Sequence, residues 1–218
     1  MIGIIRRLTF VIALALFGSA TMHAQQLWPI DEASNDTDLE TVRDALLKAV
    51  IDNDEKAVKR YVVKDVENGL DGDNGINPFM KLYRKRLRVE LRRALENGGT
   101  LSDDETFIAP SIFEQFPDEY AETYIHGVIF GDSVNIRSQP NITSAVVDRQ
   151  SWTIVEVLDW QTTPDESGKS YEWYGIRTLD GMTTGYVAST YLRSSADFRA
   201  VFRKSKGVWK LSGWYEGD

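Results

Sequence analysis

The spacing of apolar residues changes halfway along the chain, and this change most constrains the fold. Up to about residue 97, apolar side chains recur every three or four positions, as they do on one face of a helix. From about residue 134 they alternate in short runs rich in β-branched and aromatic residues, as in strands. Helices followed by strands are typical of α+β proteins. The sequence therefore predicts the α+β class, with a helical module first.

Three apolar stripes predict about three helices in this module. The first covers residues 38 to 51, begins at a capping box formed by Thr37 and Glu40, and carries Leu39, Val42, Leu46, Ala49 and Val50. A short second helix carries Ala57, Val58, Tyr61 and Val62. The third follows Asn77-Pro78, ends at Gly98-Gly99, and carries Phe79, Leu82, Tyr83, Leu87, Leu91, Ala94 and Leu95.

The opposite face of the third helix is strongly basic. It carries Lys81, Arg84, Lys85, Arg86, Arg88, Arg92 and Arg93 against the single acid Glu90. One interpretation is a solvated face that balances acidic residues elsewhere. The other is a docking face for an anionic partner, formed by Lys81, Arg84, Lys85, Arg88 and Arg92.

Five short β-rich runs follow in the second half. They are VNIRSQP at 134–140, AVVDRQ at 145–150, TIVEVLDW at 153–160, WYGIRTL at 173–179 and TGYVAS at 184–189. Five such runs within about seventy residues are typical of a small barrel. The sequence therefore predicts a β-barrel after the helices.

Two ordered motif sets make residues 124–193 resemble a bacterial SH3 (SH3b) domain. The first set matches V-N-x-R-x-x-P, with Val134, Asn135, Arg137 and Pro140. The second set matches W-Y-x-V, a D-G turn, G-Y-V and Y-L, with Trp173, Tyr174, Ile176, Asp180-Gly181, Gly185, Tyr186, Val187, Tyr191 and Leu192. With I-x-P-x-x-F at 108–113, R-A-V-F and W-K-L, the chain is similar to an uncharacterised family of secreted bacterial proteins that carry one such domain.

The resemblance implies recognition of a cell-wall peptide or an envelope protein segment. Trp and Tyr side chains offer flat apolar area with a polar handle, which suits extended peptides. The predicted ligand-binding residues are Arg137, Trp160, Trp173, Tyr186 and Tyr191. For the aromatic members, a place in the barrel core or rim is an equal alternative.

Residues 197–215 predict a β-hairpin beyond the barrel. Phe198, Ala200 and Phe202 alternate with charged residues before a turn at KSKG, and Trp209 and Leu211 follow. A lone hairpin is marginal in water, so we expect it to pack on the helical stripes. The predicted division is a signal peptide at 1–24, a linker at 25–36, a helical module at 37–120 completed by 195–218, and an SH3-like barrel at 122–194.

The first residues have the layout of a secretory signal. Arg6 and Arg7 precede an apolar run from Leu8 to Phe17, and small residues stand near Ala20 and Ala24. We therefore expect a periplasmic or secreted protein without a transmembrane segment in the mature chain. The net charge of −8 makes nucleic acid an unfavourable partner. The oligomeric state stays open.

Composition removes several kinds of chemistry. The chain has no Cys, so neither a thiol nucleophile nor a Cys-ligated metal site is available. His126 is the single His left after removal of the predicted signal, so a Ser-His-Asp arrangement has only one candidate base. Asp71 and Asp73 do not continue into a calcium-binding loop, because Gly75, Ile76 and Leu82 stand where ligands or Gly are needed. No metal or cofactor is predicted.

These observations favour a binding or adaptor protein over an enzyme. Two alternatives stay open: an inhibitor or immunity-type protein partner, and a cell-wall hydrolase that uses two carboxylates. The second needs only Asp and Glu, of which the chain has 33.

Overall fold

The computed structural model describes residues 25–69, 73–160 and 173–215. The predicted signal peptide at 1–24 lies outside these residues, as does the acidic segment 161–172. The helices are α1 (Thr37–Ile51), α2 (Glu55–Tyr61), α3 (Ile76–Leu82), α4 (Arg88–Glu96) and the short α5 (Ile112–Gln115). A π-helical segment, Tyr83–Leu87, joins α3 to α4, so the third predicted helix is continuous. None of the helices in the described ranges is long and apolar enough to cross a bilayer.

Strands β1 to β12 follow one another in the described part of the chain. They span Val62–Asn68, Thr100–Asp103, Thr106–Ala109, His126–Ile129, Val134–Arg137, Val146–Gln150, Ile154–Asp159, Trp173–Thr178, Thr184–Ala188, Leu192–Arg193, Arg199–Ser205 and Val208–Tyr215. The five β-rich runs of the sequence correspond to β5 to β9.

Helix α1 begins one residue earlier than predicted, and its cap is a different residue. The Asp36 carboxylate accepts hydrogen bonds from the backbone N–H groups of Asp38 and Leu39, at 3.0 and 3.2 Å. The predicted capping box of Thr37 and Glu40 is therefore wrong. Asp36 can satisfy the first-turn donors because its backbone is extended, as in other N-cap residues.

The first sheet has five strands in the order β1-β12-β11-β3-β2. The β1 and β12 strands are parallel, and the other neighbours are antiparallel. The helices cover one face of this sheet. Their stripe residues Leu39, Leu46 and Leu91 share one buried cluster with Phe202 and Trp209 of the C-terminal hairpin. The expected contact between hairpin and helices is thus present.

The second sheet has seven strands in the order β10-β4-β7-β8-β9-β5-β6, with antiparallel pairing throughout. Its inner face buries a cluster of aliphatic side chains: Ile129, Val134, Ile136, Val155, Val157, Ile176, Val187 and Leu192. A separate cluster joins Leu27 of the N-terminal segment and Ile112 of α5 to Phe130, Trp152 and Ile154. The predicted linker at 25–36 is therefore packed against the second sheet at Leu27.

The predicted fold class, a helical module with a small SH3-like barrel and a separate hairpin, is wrong. The molecule is built on two large, mainly antiparallel sheets of five and seven strands, with few helices. The first sheet includes β1 to β3, which lie in the region predicted to be helical. The second sheet gains β4 and β10 in addition to the five predicted runs. The prediction missed β1, β4 and β10 because they pair with segments distant in the chain, whereas β2 and β3 form a short local hairpin of four-residue strands that was also missed.

Candidate binding cleft

Three predicted site residues project from one face of the second sheet. Arg137 of β5 lies directly opposite Tyr186 of β9, and Tyr186 lies opposite Gly175 of β8. Trp173, two residues before Gly175, lies opposite Ala188. Directly opposed residues share a face, and so do residues two apart on a strand. The strand register therefore gathers Arg137, Trp173 and Tyr186 from separate parts of the sequence.

A cleft of about 300 Å³ lies at this face and takes in three of the five predicted ligand-binding residues. These are Arg137, Trp173 and Tyr191. Apolar side chains of Val134 and Ile142 also line it. The cleft thus combines a cation, two aromatic side chains and aliphatic walls, a mixture typical of small-ligand and peptide sites.

Trp173 has an unsatisfied polar group. Its side chain is only 3% exposed, and its indole Nε1–H is buried without a hydrogen-bond partner in the described structure. Three other indoles are satisfied: Trp152 Nε1 donates to Asp132 Oδ1 at 2.9 Å, Trp160 Nε1 to the Tyr124 carbonyl at 2.8 Å, and Trp209 Nε1 to Asp36 Oδ2 at 2.9 Å. A buried donor left unpaired costs about 1–3 kcal/mol.

Arg137 is held in position but keeps donors available. Its Nη1 donates to the Ser144 carbonyl at 2.7 Å. The guanidinium has five N–H donors in a planar fork, so this bond fixes the side chain without using its capacity to bind a carboxylate. Asp132 also lines the cleft, although its Oδ1 already accepts from Trp152. The cleft is therefore close to neutral, with its positive side at Arg137.

The two remaining predicted residues lie outside the cleft lining. Tyr186 is half-buried on the same face, beside Gly175. Trp160 packs edge-on against Tyr174, with ring centroids 5.0 Å apart, at the periphery of the inner cluster. Asp159 is paired with Gly175, so the next residue projects away from the cleft face. The five predicted residues thus do not form one site.

The sequence analysis missed Ile142, which lines the cleft from the loop between β5 and β6. Ile142 is exposed despite its apolar side chain. An isolated isoleucine in a loop of Pro, Asn, Thr and Ser was the available signal. Its proximity to Trp173 and Tyr191 could not be predicted, because these residues are distant from it along the chain.

The basic residues of the third predicted helix are placed unequally. Arg84 makes a two-bond ion pair with Glu55, and Arg92 pairs with Glu96 at 2.7 Å. Lys85 and Arg88 line a second cleft beside the π-helical segment, together with Arg84. Lys81 and Arg92 do not line it. The structure thus separates the predicted anionic-partner face into a cleft and a more dispersed exposed surface.

Groups suited to metal binding do not converge in the described ranges. Among these residues no cluster of three His, Asp or Glu side chains could hold a metal ion. His126 packs edge-on against Tyr120, with ring centroids 5.1 Å apart. Its Nδ1 is buried without a partner in the same part of the chain.

Comparison with known proteins gives only remote similarity. No family model matches the chain, and no curated protein matches it. Among solved structures, a "putative ketosteroid isomerase" of Shewanella frigidimarina NCIMB 400 aligns at 8% identity and a TM-score of 0.30, covering 83% of this chain and 94% of the other. A five-substitution variant named Rd1NTF2_05 aligns at 12% identity and a TM-score of 0.32, covering 84% and 99%.

A third alignment is with a "putative calcium/calmodulin dependent protein kinase II association domain" of Xanthomonas campestris. The identity is 12% and the TM-score 0.27, with 89% of this chain and 94% of the other covered. The runs that resemble an SH3b domain lie in the seven-stranded sheet β10-β4-β7-β8-β9-β5-β6 and do not form a small barrel of their own. The SH3b assignment is therefore corrected, together with the barrel built on it. TM-scores this low assign neither a fold family nor an activity to the chain.

Proposed function

We propose that this chain is a non-enzymatic binding protein whose cleft beside Trp173 takes an extended segment of a cell-wall peptide or an envelope protein. One observation carries the proposal: the buried indole N–H of Trp173 has no partner in the described structure and belongs to a residue that lines an open cleft. A peptide carbonyl supplies the acceptor that this donor lacks.

The other cleft residues favour a peptide over a purely polar or purely apolar ligand. Val134, Ile142 and Tyr191 offer apolar contact. Arg137 can form a bidentate pair with a side-chain or C-terminal carboxylate, such as those of wall peptides. Binding must offset the lost freedom of a flexible peptide, so we expect a Kd that is micromolar or weaker.

Export to the periplasm or the exterior is part of this proposal. It rests on the order of basic, apolar and small residues at 1–24, which is typical of a secretory signal. Peptides of the envelope would then share a compartment with the cleft.

The direct test is a calorimetric titration of the protein with soluble peptides released from purified cell wall. Trp173→Phe keeps an aromatic ring but removes the indole donor, and we expect it to weaken binding about threefold to tenfold. Arg137→Gln removes the charge and should weaken binding at least tenfold for peptides with a free carboxylate. Amidated forms of the same peptides should show little difference between wild type and Arg137→Gln.

Arg177→Gln is the matched control. Arg177 lies on β8 and pairs with Glu156 at 2.6 Å, outside the cleft lining. It should bind wall peptides as the wild type does. The proposal would be contradicted if Trp173→Phe and Arg137→Gln are folded, as judged by circular dichroism, and both bind wall peptides as well as the wild type. Loss of saturable binding in Arg177→Gln, with binding retained in both cleft variants, would also contradict it.

A further inference from the structure

We propose that the cleft beside the π-helical segment is a second binding site, specific for a phosphate group. It lies between the turn that joins α1 to α2 and the segment Tyr83–Leu87, and it has a volume of about 350 Å³. Its residues lie on the helical layer over the first sheet, whereas the Trp173 cleft belongs to the second sheet. The two sites therefore do not share residues.

The backbone of this cleft is unusual. Five residues, Tyr83–Leu87, are π-helical within an otherwise α-helical stretch. Such segments are rare and are found frequently at functional sites, where the altered helix turn redirects side chains. Here the segment supplies four lining residues, and Arg88 follows at the start of α4; the four are Tyr83, Arg84, Lys85 and Arg86.

The hydroxyl of Tyr83 is the second, independent sign of a ligand. The residue is 1% exposed and packs in the main core, yet its hydroxyl has no hydrogen-bond partner in the described structure. The pKa of Tyr83 is raised, mainly by burial; Glu55 and Asp54 add to the increase, and Arg88 opposes it. The hydroxyl therefore stays protonated near neutral pH and is a donor that lacks an acceptor.

Charge at the cleft favours an anion. Glu55 is the single acid of the lining, and the guanidinium of Arg84 neutralises it through two hydrogen bonds. Lys85 and Arg88 also line the cleft, and neither forms an ion pair with a residue that the structure describes. Their positive charges are left uncompensated on a protein with a net charge of −8.

A phosphate group matches this arrangement better than a carboxylate. It carries more charge and offers three or four acceptor oxygens, enough to meet the Tyr83 hydroxyl, the Arg88 fork and the Lys85 ammonium together. A carboxylate has only two oxygens. The volume of the cleft leaves room for the group to which the phosphate is attached.

The test is calorimetric titration with inorganic pyrophosphate at constant ionic strength, with sulfate in a parallel titration. We expect saturable pyrophosphate binding that exceeds sulfate binding. Tyr83→Phe should weaken it about threefold to tenfold, and Arg88→Gln at least tenfold. Lys81→Gln is the matched control, because it removes the same charge from the same helical stretch but lies outside the cleft. It should bind within about twofold of the wild type.

Thermal unfolding separates a ligand-binding role of the hydroxyl from a structural one. Without pyrophosphate, Tyr83→Phe should unfold at the wild-type temperature or above, because the hydroxyl it removes is buried and unpaired. Pyrophosphate should then raise the unfolding temperature of the wild type more than that of the variant. Weakening of pyrophosphate binding by Lys81→Gln as large as that by Arg88→Gln would overturn the proposal. So would equal affinity for sulfate, or unchanged binding by Tyr83→Phe.

Discussion

Glu90 Oε2 on α4 accepts a hydrogen bond of 2.7 Å from Arg193 Nη2 on β10, and this ion pair connects the helical layer to the second sheet. The Arg193 guanidinium also lies 5.6 Å from the ring centre of Phe130 and 5.7 Å from that of Phe198. Asp197 is 3.9 Å away. A charge this well buried depends on its partners, because water cannot replace them.

We therefore expect Glu90→Gln, which keeps an acceptor for Arg193 but removes the charge, to lower the free energy of unfolding by about 1–3 kcal/mol. The substitution leaves Arg193 buried with only the more distant Asp197 as a counter-charge. Glu96→Gln is the control, since Glu96 pairs with Arg92 on the exposed side of the same helix. It should cost less than about 0.5 kcal/mol. Equal losses for both variants in urea unfolding would show that the Arg193 pair has no special role.

Asp36 should make the fold sensitive to acid. Hydrogen bonds from Lys204, at 2.7 Å, and from Trp209, at 2.9 Å, hold the pKa of its carboxyl well below the usual 3.8. A carboxyl with a pKa lowered by folding stabilises the protein above its unfolded pKa. That contribution is lost as the pH falls toward the folded pKa.

Asp36→Asn should accordingly lower the free energy of unfolding by about 1–2 kcal/mol at pH 7. The difference from wild type should shrink below pH 3.8, by at most about 1.4 kcal/mol per pH unit. Urea unfolding at pH 7 and pH 3 measures both values. Asp52→Asn, which removes the exposed partner of Lys48, should change stability by less than about 0.5 kcal/mol. A gap between wild type and Asp36→Asn that stays constant with pH would contradict this role.

Local patterns predicted the helices and the strands β5 to β9, because amphipathic spacing acts over a few residues. The strand β1 was missed, since its seven residues pair in parallel with β12, nearly 150 residues later in the chain. Parallel pairing of this kind leaves no turn signal in the sequence. The motif match to SH3b also failed, because glycines and aromatics at strand ends occur in many antiparallel sheets.

Part of the candidate site was predicted, because alternation along a strand is also a local pattern. Alternation along β5 and β8 placed Arg137 and Trp173 on an outward face, and the strand register brings them to one cleft. Trp160 was indistinguishable from them by residue type, yet it projects elsewhere and donates to the Tyr124 carbonyl. Whether the indole N–H of Trp173 finds an acceptor is a property of the folded structure, which no local pattern specifies.

Close packing of β9 against β5 makes a glycine necessary at position 185. A Cβ on Gly185 would lie 2.7 Å from both the Arg137 carbonyl oxygen and Ile136 Cγ2. Gly185→Ala should therefore destabilise the protein by about 1–3 kcal/mol. Gly175→Ala on the neighbouring strand is the control, because its Cβ would meet Asp159 at an ordinary 3.4 Å. A thermal unfolding curve for Gly185→Ala that matches the Gly175→Ala curve would refute the packing constraint.

The most direct test of the Trp173 cleft is the indole N–H spectrum of the protein during titration with soluble cell-wall peptides. The chain has six Trp residues, and the spectrum of Trp173→Phe identifies the Trp173 signal by its absence. We predict that the Trp173 indole signal shifts most and saturates with peptide, because its proton gains an acceptor. The Trp152 signal should move little, since its N–H already bonds Asp132. An unchanged Trp173 signal, while the peptide binds and shifts the signals of Trp28 or Trp160, would contradict peptide binding in this cleft.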